Sequence, residues 1–147
     1  MKQQRNEDGF VVVGLSAKVR NDDPAAIGAL WGAFRADAVR SKLGPDASED
    51  VYCVYHDYDG GFMDPYRMTI GHRMPKSASV PIGLHCAEVP PQKIAIYEAT
   101  GPQPDTLIAQ WQAIWDGDLN RSYIADYDIY DKNNPDLVTV AVGIEAA

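Results

Sequence analysis

The chain has 147 residues, of which 46% are hydrophobic and 23% are charged, and its formal net charge is −8. A chain of this length and composition is typical of one globular domain with a buried core. Its 13 basic residues against 21 acidic ones are too few to neutralise a nucleic-acid backbone. We therefore expect no direct binding to nucleic acid, and a positively charged partner instead.

The N-terminus and the two cysteines bear on the cellular compartment. No apolar run approaches the ~20 residues that span a bilayer, which excludes a membrane helix. The polar start "MKQQRNEDGF" lacks the apolar stretch of a secretory signal, and its first eight residues are expected to be frayed. Cys53 and Cys86 are too few for a disulfide framework, so a reduced, cytoplasmic protein is expected.

The first half of the chain is typical of a strand, a helix and a hairpin. Residues 10–19, "FVVVGLSAKV", are rich in β-branched side chains and predict a strand. Asp23 is placed to cap a helix that begins at Pro24. Residues 51–58 and 66–74 predict a hairpin. The predicted apolar face of the helix consists of Ile27, Leu30, Trp31, Phe34 and Ala38.

The second half repeats this pattern after a connector at residues 75–91, which contains four prolines. Residues 92–99 predict a strand, and Pro104 predicts the start of a second helix. Residues 121–130 and 137–144 predict a second hairpin. The predicted apolar face of the second helix consists of Leu107, Ile108, Trp111, Ile114 and Trp115.

The element order is therefore βαββ, connector, βαββ, within one domain whose halves cover about 9–74 and 92–145. Such a repeat predicts an α+β fold in which two units are related by a pseudo-twofold axis. Each helix has one apolar stripe, so both helices are expected on one face of an antiparallel sheet. A central cleft is expected where the two halves meet.

The strand at 121–130 carries carboxylates among aromatic residues, which points to the cleft. Alternation places Tyr127 on the core face and Asp126, Asp128 and Tyr130 on the other face. Pattern alignment of the two hairpins sets His56 against Asp128 and Tyr58 against Tyr130. The predicted cleft residues are Asp128, Tyr130, Tyr58, His56 and Tyr52, with Asp126 at the rim in solvent. Among the tryptophans, Trp31 and Trp111 are expected in the core, while Trp115 could border the cleft.

Three stretches of the chain point to a known family. The first is the Pro/Gly connector leading into "IAIYEATG" at 94–101. The second is "LIAQWQAIW" at 107–115, and the third is "ADYDIYD" at 125–131. All three resemble stretches of the GyrI-like effector-binding domain, the ligand-sensing module of multidrug-responsive bacterial transcription regulators. No single motif is specific, but their order and spacing together cover nearly the whole chain.

The resemblance implies a duplicated βαββ fold with an open cleft that binds bulky lipophilic cations between aromatic rings. Carried over by position, the acid that answers the charge is Asp128 and the stacking tyrosine is Tyr130, although family members usually have Glu in place of this Asp. The DNA-binding helices of the regulators have no counterpart here, which implies a stand-alone protein, monomeric or dimeric, that acts alone or with a protein partner.

Two other function classes remain open. Some proteins that resemble this family hydrolyse genotoxins, and Asp128 with Tyr130 or His56 could position a water molecule for such a reaction. Others protect DNA gyrase by contacting it, a role that exposed carboxylates such as Asp57, Asp59, Asp64, Asp126 and Asp131 would carry here. A closed cleft with acids on its rim would favour interaction, whereas one acid among rings in an open cleft would favour ligand binding.

We expect neither a catalytic residue nor a cofactor. No serine lies in a nucleophile-elbow setting and no glycine-rich phosphate loop occurs. The spacing of His72, His85 and Cys86 fits no recognised metal site.

Overall fold

The computed structural model describes residues 3–145. Within that range the chain forms eight strands and three helices. The strands are β1 Gln3–Glu7, β2 Phe10–Val19, β3 Val51–His56, β4 Tyr66–Met74, β5 His85–Val89, β6 Gln92–Thr100, β7 Ala125–Tyr130 and β8 Leu137–Ile144. The helices are α1 Pro24–Ala36, α2 Val39–Leu43 and α3 Asp105–Asp116. No described helix is long and apolar enough to cross a membrane.

The helix starts follow from local chemistry. The Asp23 side chain accepts a hydrogen bond from the Ala26 N–H at 3.2 Å and caps α1, as predicted. Pro104 is the N-cap residue of α3 and not its first helical residue, and the Gln103 side chain accepts the bond from Leu107 N–H. The first helix, whose predicted apolar face extended to Ala38, ends at Ala36, and the short helix α2 follows from Val39.

All strands pair antiparallel in one sheet of order β1-β6-β8-β7-β3-β4-β2-β5. The order is symmetric about the β7–β3 pair, because β7-β8-β6-β1 on one side repeats β3-β4-β2-β5 on the other. Cys53 lies opposite Asp128 and Tyr55 opposite Asp126 at this central pair. The predicted α+β fold built from two βαββ units is confirmed.

Two segments predicted to lack regular structure are strands, which corrects the sequence analysis. Residues 3–7, predicted to be frayed, form β1 and pair with β6. Residues 85–89, inside the predicted connector, form β5 and pair with β2. Both are edge strands, and most of their side chains are exposed. Backbone pairing holds them, so their sequences carry little of the apolar alternation that reveals a strand.

Two short linkers force the sheet to curl. Asp8 and Gly9 join β1 to β2, while Pro90 and Pro91 join β5 to β6. Each linked pair is six strand spacings apart in the sheet order, roughly 29 Å on a flat sheet. Three peptide links reach at most about 11 Å. The linkers touch, because a Cβ at Gly9 would lie 2.9 Å from Pro91 Cδ. The two ends of the sheet are therefore close together.

The curl gives the sheet an inner and an outer face. The inner face is a single apolar cluster that draws on strands from both halves, and it includes Phe10, Val12, Tyr52, Val54, Ile94 and Tyr127. Both long helices pack on the outer face. Leu30 of α1 packs over Met68 and Ile70, and Trp111 of α3 packs near Val140. The gap between the helices lies over the central β3–β7 pair.

Candidate functional site

A pocket of about 410 Å³ opens on the outer face between α1 and α3. Its walls come from both helices, from β3 and β4, and from the end of β7. Most of its surface is aromatic or aliphatic. The aromatic residues that line it are Trp31, Tyr55, Tyr58, Phe62, Tyr66, Trp111, Trp115 and Tyr130.

These rings meet at varied angles, and three of their six contacts are edge to face. Trp31 meets Tyr130 with ring centroids 5.0 Å apart, and Tyr55 meets Trp111 at 5.4 Å. The rings of Phe62 and Trp115 stack, with an interplanar angle of 13°. The face of an aromatic ring carries partial negative charge. The pocket therefore offers several flat, electron-rich surfaces to a ligand.

Asp128 lies beneath the pocket in β7, and its side chain is fully buried. The Tyr55 hydroxyl donates to one carboxyl oxygen, and the Trp111 indole N–H donates to the other at 3.1 Å. Burial raises the pKa of this carboxyl to about 7, although the two hydrogen bonds oppose the rise. Burial and the Asp128 charge also raise the pKa of Tyr55, so that hydroxyl remains a donor. No cation among the described side chains pairs with Asp128.

Asp126 is the second buried carboxylate on this face of β7. It accepts a hydrogen bond from the Tyr58 hydroxyl, a 2.7 Å bond from the Gly143 N–H and a 2.7 Å ionic contact from Arg121. Burial raises the pKa of Asp126, while Arg121 and the hydrogen bonds oppose that rise. The prediction that Asp126 lies at a solvated rim was wrong, because its partner Arg121 is itself buried.

The structure brings four of the six predicted cleft residues together. Tyr58, Tyr130 and Trp115 line the pocket, and Asp128 lies beneath it. Tyr52 and His56 lie elsewhere. Tyr52 belongs to the inner cluster, and the His56 ring is buried against Thr69, with 2.8 Å between His56 Nε2 and Thr69 Oγ1.

The error for Tyr52 and His56 has a local cause. The pattern alignment of the two hairpins set Tyr58 against Tyr130 and His56 against Asp128, which holds only if side chains alternate regularly from Tyr52 through Tyr58. The chain leaves β3 after His56, and Asp57 adopts a φ of +50°. This left-handed residue reverses the direction of the following side chain. Tyr58 consequently reaches the outer face, whereas Tyr52 and His56 point to the inner one.

Several pocket residues were missed. Tyr55, Phe62 and Tyr66 line the pocket but were not among the predicted cleft residues. Trp111 is buried, as predicted for a core residue, but it and the half-buried Trp31 also line the pocket. The register of β3 against β7 is the signal that would have found Tyr55, since cross-strand neighbours share a face.

The described residues contain no group of three or more His, Cys, Asp or Glu side chains that could hold a metal ion. His72 Nδ1 lies 2.8 Å from the Ser48 carbonyl oxygen and belongs to the packing of the first half. The chemistry available in the pocket is therefore that of aromatic faces, two buried carboxylates and one guanidinium.

Solved structures share this fold. An integron cassette protein from the mobile metagenome of Vibrio cholerae matches with a TM-score of 0.77, at 23% identity over 97% of this chain and 95% of that one. The protein SAV2435 bound to tetraphenylphosphonium matches with a TM-score of 0.75, at 11% identity over 98% of this chain and 93% of that one. A candidate transcription regulation protein from Staphylococcus aureus MU50 matches with a TM-score of 0.71, at 11% identity over 98% and 97% of the two chains.

Sequence comparison gives the family. No curated protein is significantly similar to the chain. The family described as Cass2, integron-associated effector binding protein, matches residues 5–139, nearly the whole chain. The resemblance to GyrI-like effector-binding domains is thereby confirmed. The chain belongs to the integron-associated effector-binding proteins of the GyrI-like class.

Proposed function

We propose that this protein binds lipophilic aromatic cations reversibly in the outer-face pocket, as a sensor or sequestering protein. The observation that carries the proposal is the position of Asp128, a fully buried carboxyl with no cationic partner among the described residues, beneath a floor of aromatic rings. A buried carboxylate without a counter-charge is unfavourable, so a cation that enters the pocket relieves an existing electrostatic penalty.

The energetics favour broad shape tolerance together with charge selectivity. Apolar burial contributes roughly 25 cal/mol per Å² of ligand surface before the entropic losses of binding. Each ring face that a cation contacts adds about 0.5–2 kcal/mol. These terms depend weakly on ligand shape, whereas the Asp128 charge discriminates strongly between cations and neutral molecules. A binder of varied drug-like cations needs this combination.

Related folds support the proposal. SAV2435, which has the same fold, is described in complex with tetraphenylphosphonium, a lipophilic cation. The pocket volume of about 410 Å³ suits a guest of a few aromatic rings. A single unpaired acid close to aromatic rings, as at Asp128, is nearer to the arrangement expected for ligand binding than to the rim of acids expected for contact with a protein partner.

The positions of the side chains do not support the hydrolase alternative. In that hypothesis, Asp128 acts with Tyr130 or His56 to position a water molecule. His56 lies on the inner face, on the other side of the sheet from Asp128. Both oxygens of Asp128 already accept hydrogen bonds, from Tyr55 and Trp111.

A titration with ions of matched shape tests the proposal. Tetraphenylphosphonium and tetraphenylborate have nearly the same size and opposite charge, and Trp31, Trp111 and Trp115 line the pocket and report binding by fluorescence. At pH 8 we expect saturable binding of the phosphonium, about tenfold or more tighter than binding of the borate. The phosphonium should be recovered chemically intact.

Asp128→Asn is the matching variant, and it should lose most of the preference for the cation while it retains the fold. Asp136→Asn changes an exposed carboxylate outside the pocket and serves as the control, with wild-type affinity expected. Equal affinity for the two ions in wild type, or an unchanged preference in Asp128→Asn, would contradict the proposal that Asp128 recognises the charge of the ligand.

A further inference from the structure

Two acidic positions of similar construction lie beneath the pocket. Asp126 and Asp128 are both fully buried on the same face of β7, about 6.7 Å apart along the strand. Each carboxylate accepts a hydrogen bond from a tyrosine that lines the pocket, Tyr58 for Asp126 and Tyr55 for Asp128. Each acid is therefore separated from the pocket interior by the side chain of one tyrosine.

The two positions differ in their counter-charge. Arg121 Nη2 lies 2.7 Å from an Asp126 oxygen, and the arginine side chain is only 5% exposed. Asp128 has hydrogen-bond donors but no cation. Two carboxylates and one guanidinium leave a single uncompensated negative charge when both acids are ionised.

The guanidinium of Arg121 is held in the manner of a bound organic cation. Its central carbon lies 4.3 Å from the ring centroid of Tyr123 and 5.6 Å from that of Trp111. Nε and Nη1, which carry more than half of the guanidinium N–H donors, have no hydrogen-bond acceptor among the described residues. One carboxylate and two ring faces are thus its main attachments, and Arg121 itself forms part of the pocket wall.

We propose that Arg121 is a built-in occupant of a second cation subsite, and that it restricts the pocket to ligands with one positive charge. The proposal rests on the proposed function for the first subsite, at Asp128. With a neutral side chain at position 121, Asp126 becomes the counter-charge for a second cationic group. The ligand class that this altered pocket takes is an aromatic dication whose charges are separated by about one ring system.

The restriction follows from charge placement. In the wild-type pocket the second charge of a dication would lie beside the guanidinium, with no carboxylate left to pair with it. Removal of Arg121 frees a carboxylate for the second charge of the ligand, since Asp126 then remains buried beside Tyr58 and Gly143 without a cation. A buried carboxylate that has lost its partner strongly favours any cation able to reach it.

The experiment uses three naphthalene probes: naphthylmethylamine with one charge, bis(aminomethyl)naphthalene with two, and naphthylmethanol with none. Affinities are measured by calorimetry at pH 8. Wild type should bind the monoamine at least as tightly as the diamine. In Arg121→Gln the diamine should gain about ten- to a hundredfold relative to the monoamine, the effect expected for a charge-assisted contact. Arg121→Lys keeps the charge and should keep the wild-type ratio.

A double variant separates charge recognition from structural disturbance. Arg121→Gln combined with Asp126→Asn leaves no unpaired carboxylate at the second position, so the gain for the diamine should disappear. If Arg121→Gln is unfolded alone, thermal unfolding with saturating diamine should show recovery of the folded state. An unchanged diamine-to-monoamine ratio in Arg121→Gln, the same gain in the double variant, or no recovery by the diamine each overturns the proposal.

The same data keep this inference apart from the proposed function. The ratio of naphthylmethylamine to naphthylmethanol in wild type reports on Asp128, whereas the diamine-to-monoamine ratio in Arg121→Gln reports on Asp126. If wild type does not prefer naphthylmethylamine to naphthylmethanol, the proposed function fails, and the restriction to one charge fails with it. If wild type prefers the amine and the diamine gains nothing in Arg121→Gln, the proposed function stands and the second subsite fails.

Discussion

The inner and outer faces of the sheet are both rich in aromatic residues, yet they use them differently. On the inner face, Phe10 contacts Tyr127 and Tyr52 with ring centroids 5.1 and 5.7 Å apart, and these rings fill the curl of the sheet. On the outer face, rings from α1, α3 and the sheet surround a pocket. Aromatic content alone therefore does not produce a pocket; the separation of the two helices does.

Each face also contains a tyrosine that donates to a carboxylate. On the inner side, Tyr127 donates to Glu7 at 2.6 Å, and burial raises the pKa of this half-buried acid. On the outer side, Tyr55 donates to Asp128, which is fully buried and has a pKa of about 7. The same pair of groups ties an edge strand to the sheet in one place and, under our proposal, forms a charge sensor in the other. The difference lies in the depth of burial.

The largest effect on stability should come from removing an aromatic ring from the inner-face cluster. Phe10→Ala removes a ring that is 3% exposed, and we expect a loss of about 3–5 kcal/mol in the free energy of unfolding, measured with urea. Affinity for tetraphenylphosphonium, measured below the unfolding transition, should change little because Phe10 does not line the pocket.

Trp115→Ala, on the outer face, should affect ligand affinity more than stability, the opposite of Phe10→Ala. Trp115 is half-buried and stacks on Phe62 at the pocket wall, so its loss should weaken the binding of planar cations more than it lowers stability. Equal effects of Phe10→Ala and Trp115→Ala on both quantities would contradict the division between a packing face and a binding face.

The second prediction concerns stability and Asp128. The folded-state pKa of about 7 lies above the ordinary value of 3.8, so the folded state favours the protonated acid. This contribution is fully present below about pH 4, and it is lost as the pH rises through 7. At pH 8, Asp128→Asn should therefore stabilise the unliganded protein by about 1–4 kcal/mol, because its amide can still accept from Trp111 and donate to Tyr55.

The control for this second prediction is the same variant at pH 4, where the stabilisation should vanish because the wild-type acid is already neutral. Thermal unfolding at the two pH values measures the difference. A gain of equal size at both pH values would mean that packing, and not the buried charge, causes the difference in stability between wild type and Asp128→Asn.

Much of the fold can be predicted from the sequence because side-chain periodicity and burial coincide in the central strands. The bounds of β2 and β4 follow from runs of apolar and β-branched residues that are buried in the structure. The edge strands β1 and β5 were not predicted, since their pairing depends on backbone hydrogen bonds and on the curl that brings the ends of the sheet together. Two short linkers cause that curl, and it brings together segments that are far apart in the sheet, so the sequences of β1 and β5 alone do not reveal their pairing.

The site was predictable where regular alternation held and not where a single residue broke it. Asp128 and Tyr130 follow from the strand pattern, but the φ of +50° at Asp57 moved Tyr58 to the outer face and left His56 behind. The burial of Asp126 depends on Arg121, which lies outside the named strands and approaches from the chain segment before β7. Neither a local turn of this kind nor such a partner leaves a periodic signal.

The third prediction is the pH dependence of cation affinity. Only the ionised form of Asp128 should attract a cation, so affinity for tetraphenylphosphonium should fall as the pH drops through about 7. Between pH 8 and pH 6 we expect a loss of about tenfold. Tyr55, Cys53 and Asp126 surround Asp128, and burial raises the pKa of Tyr55 and Cys53 above the ordinary values of those groups, so neither becomes charged in this range.

Asp128→Asn supplies the control for the pH profile, because its weaker binding should be nearly independent of pH between 6 and 8. Tyr55→Phe should move the midpoint upwards, since it removes a hydrogen bond that favours the ionised acid. A flat profile in wild type would exclude Asp128 as the titrating group.

The smallest effect should come from the inner-face pair. Tyr127→Phe keeps the ring that packs on Phe10 and removes only the hydrogen bond to Glu7, so the loss of unfolding free energy should be about 1 kcal/mol. Because Glu7 is the last residue of β1, the loss should be local: amide hydrogen exchange should accelerate in β1 and in the part of β6 that pairs with it. Exchange in β3 and β7 and affinity for tetraphenylphosphonium should remain unchanged. Faster exchange at the β3–β7 pair would show that the inner-face tyrosine also supports the pocket, and the two faces would then be coupled.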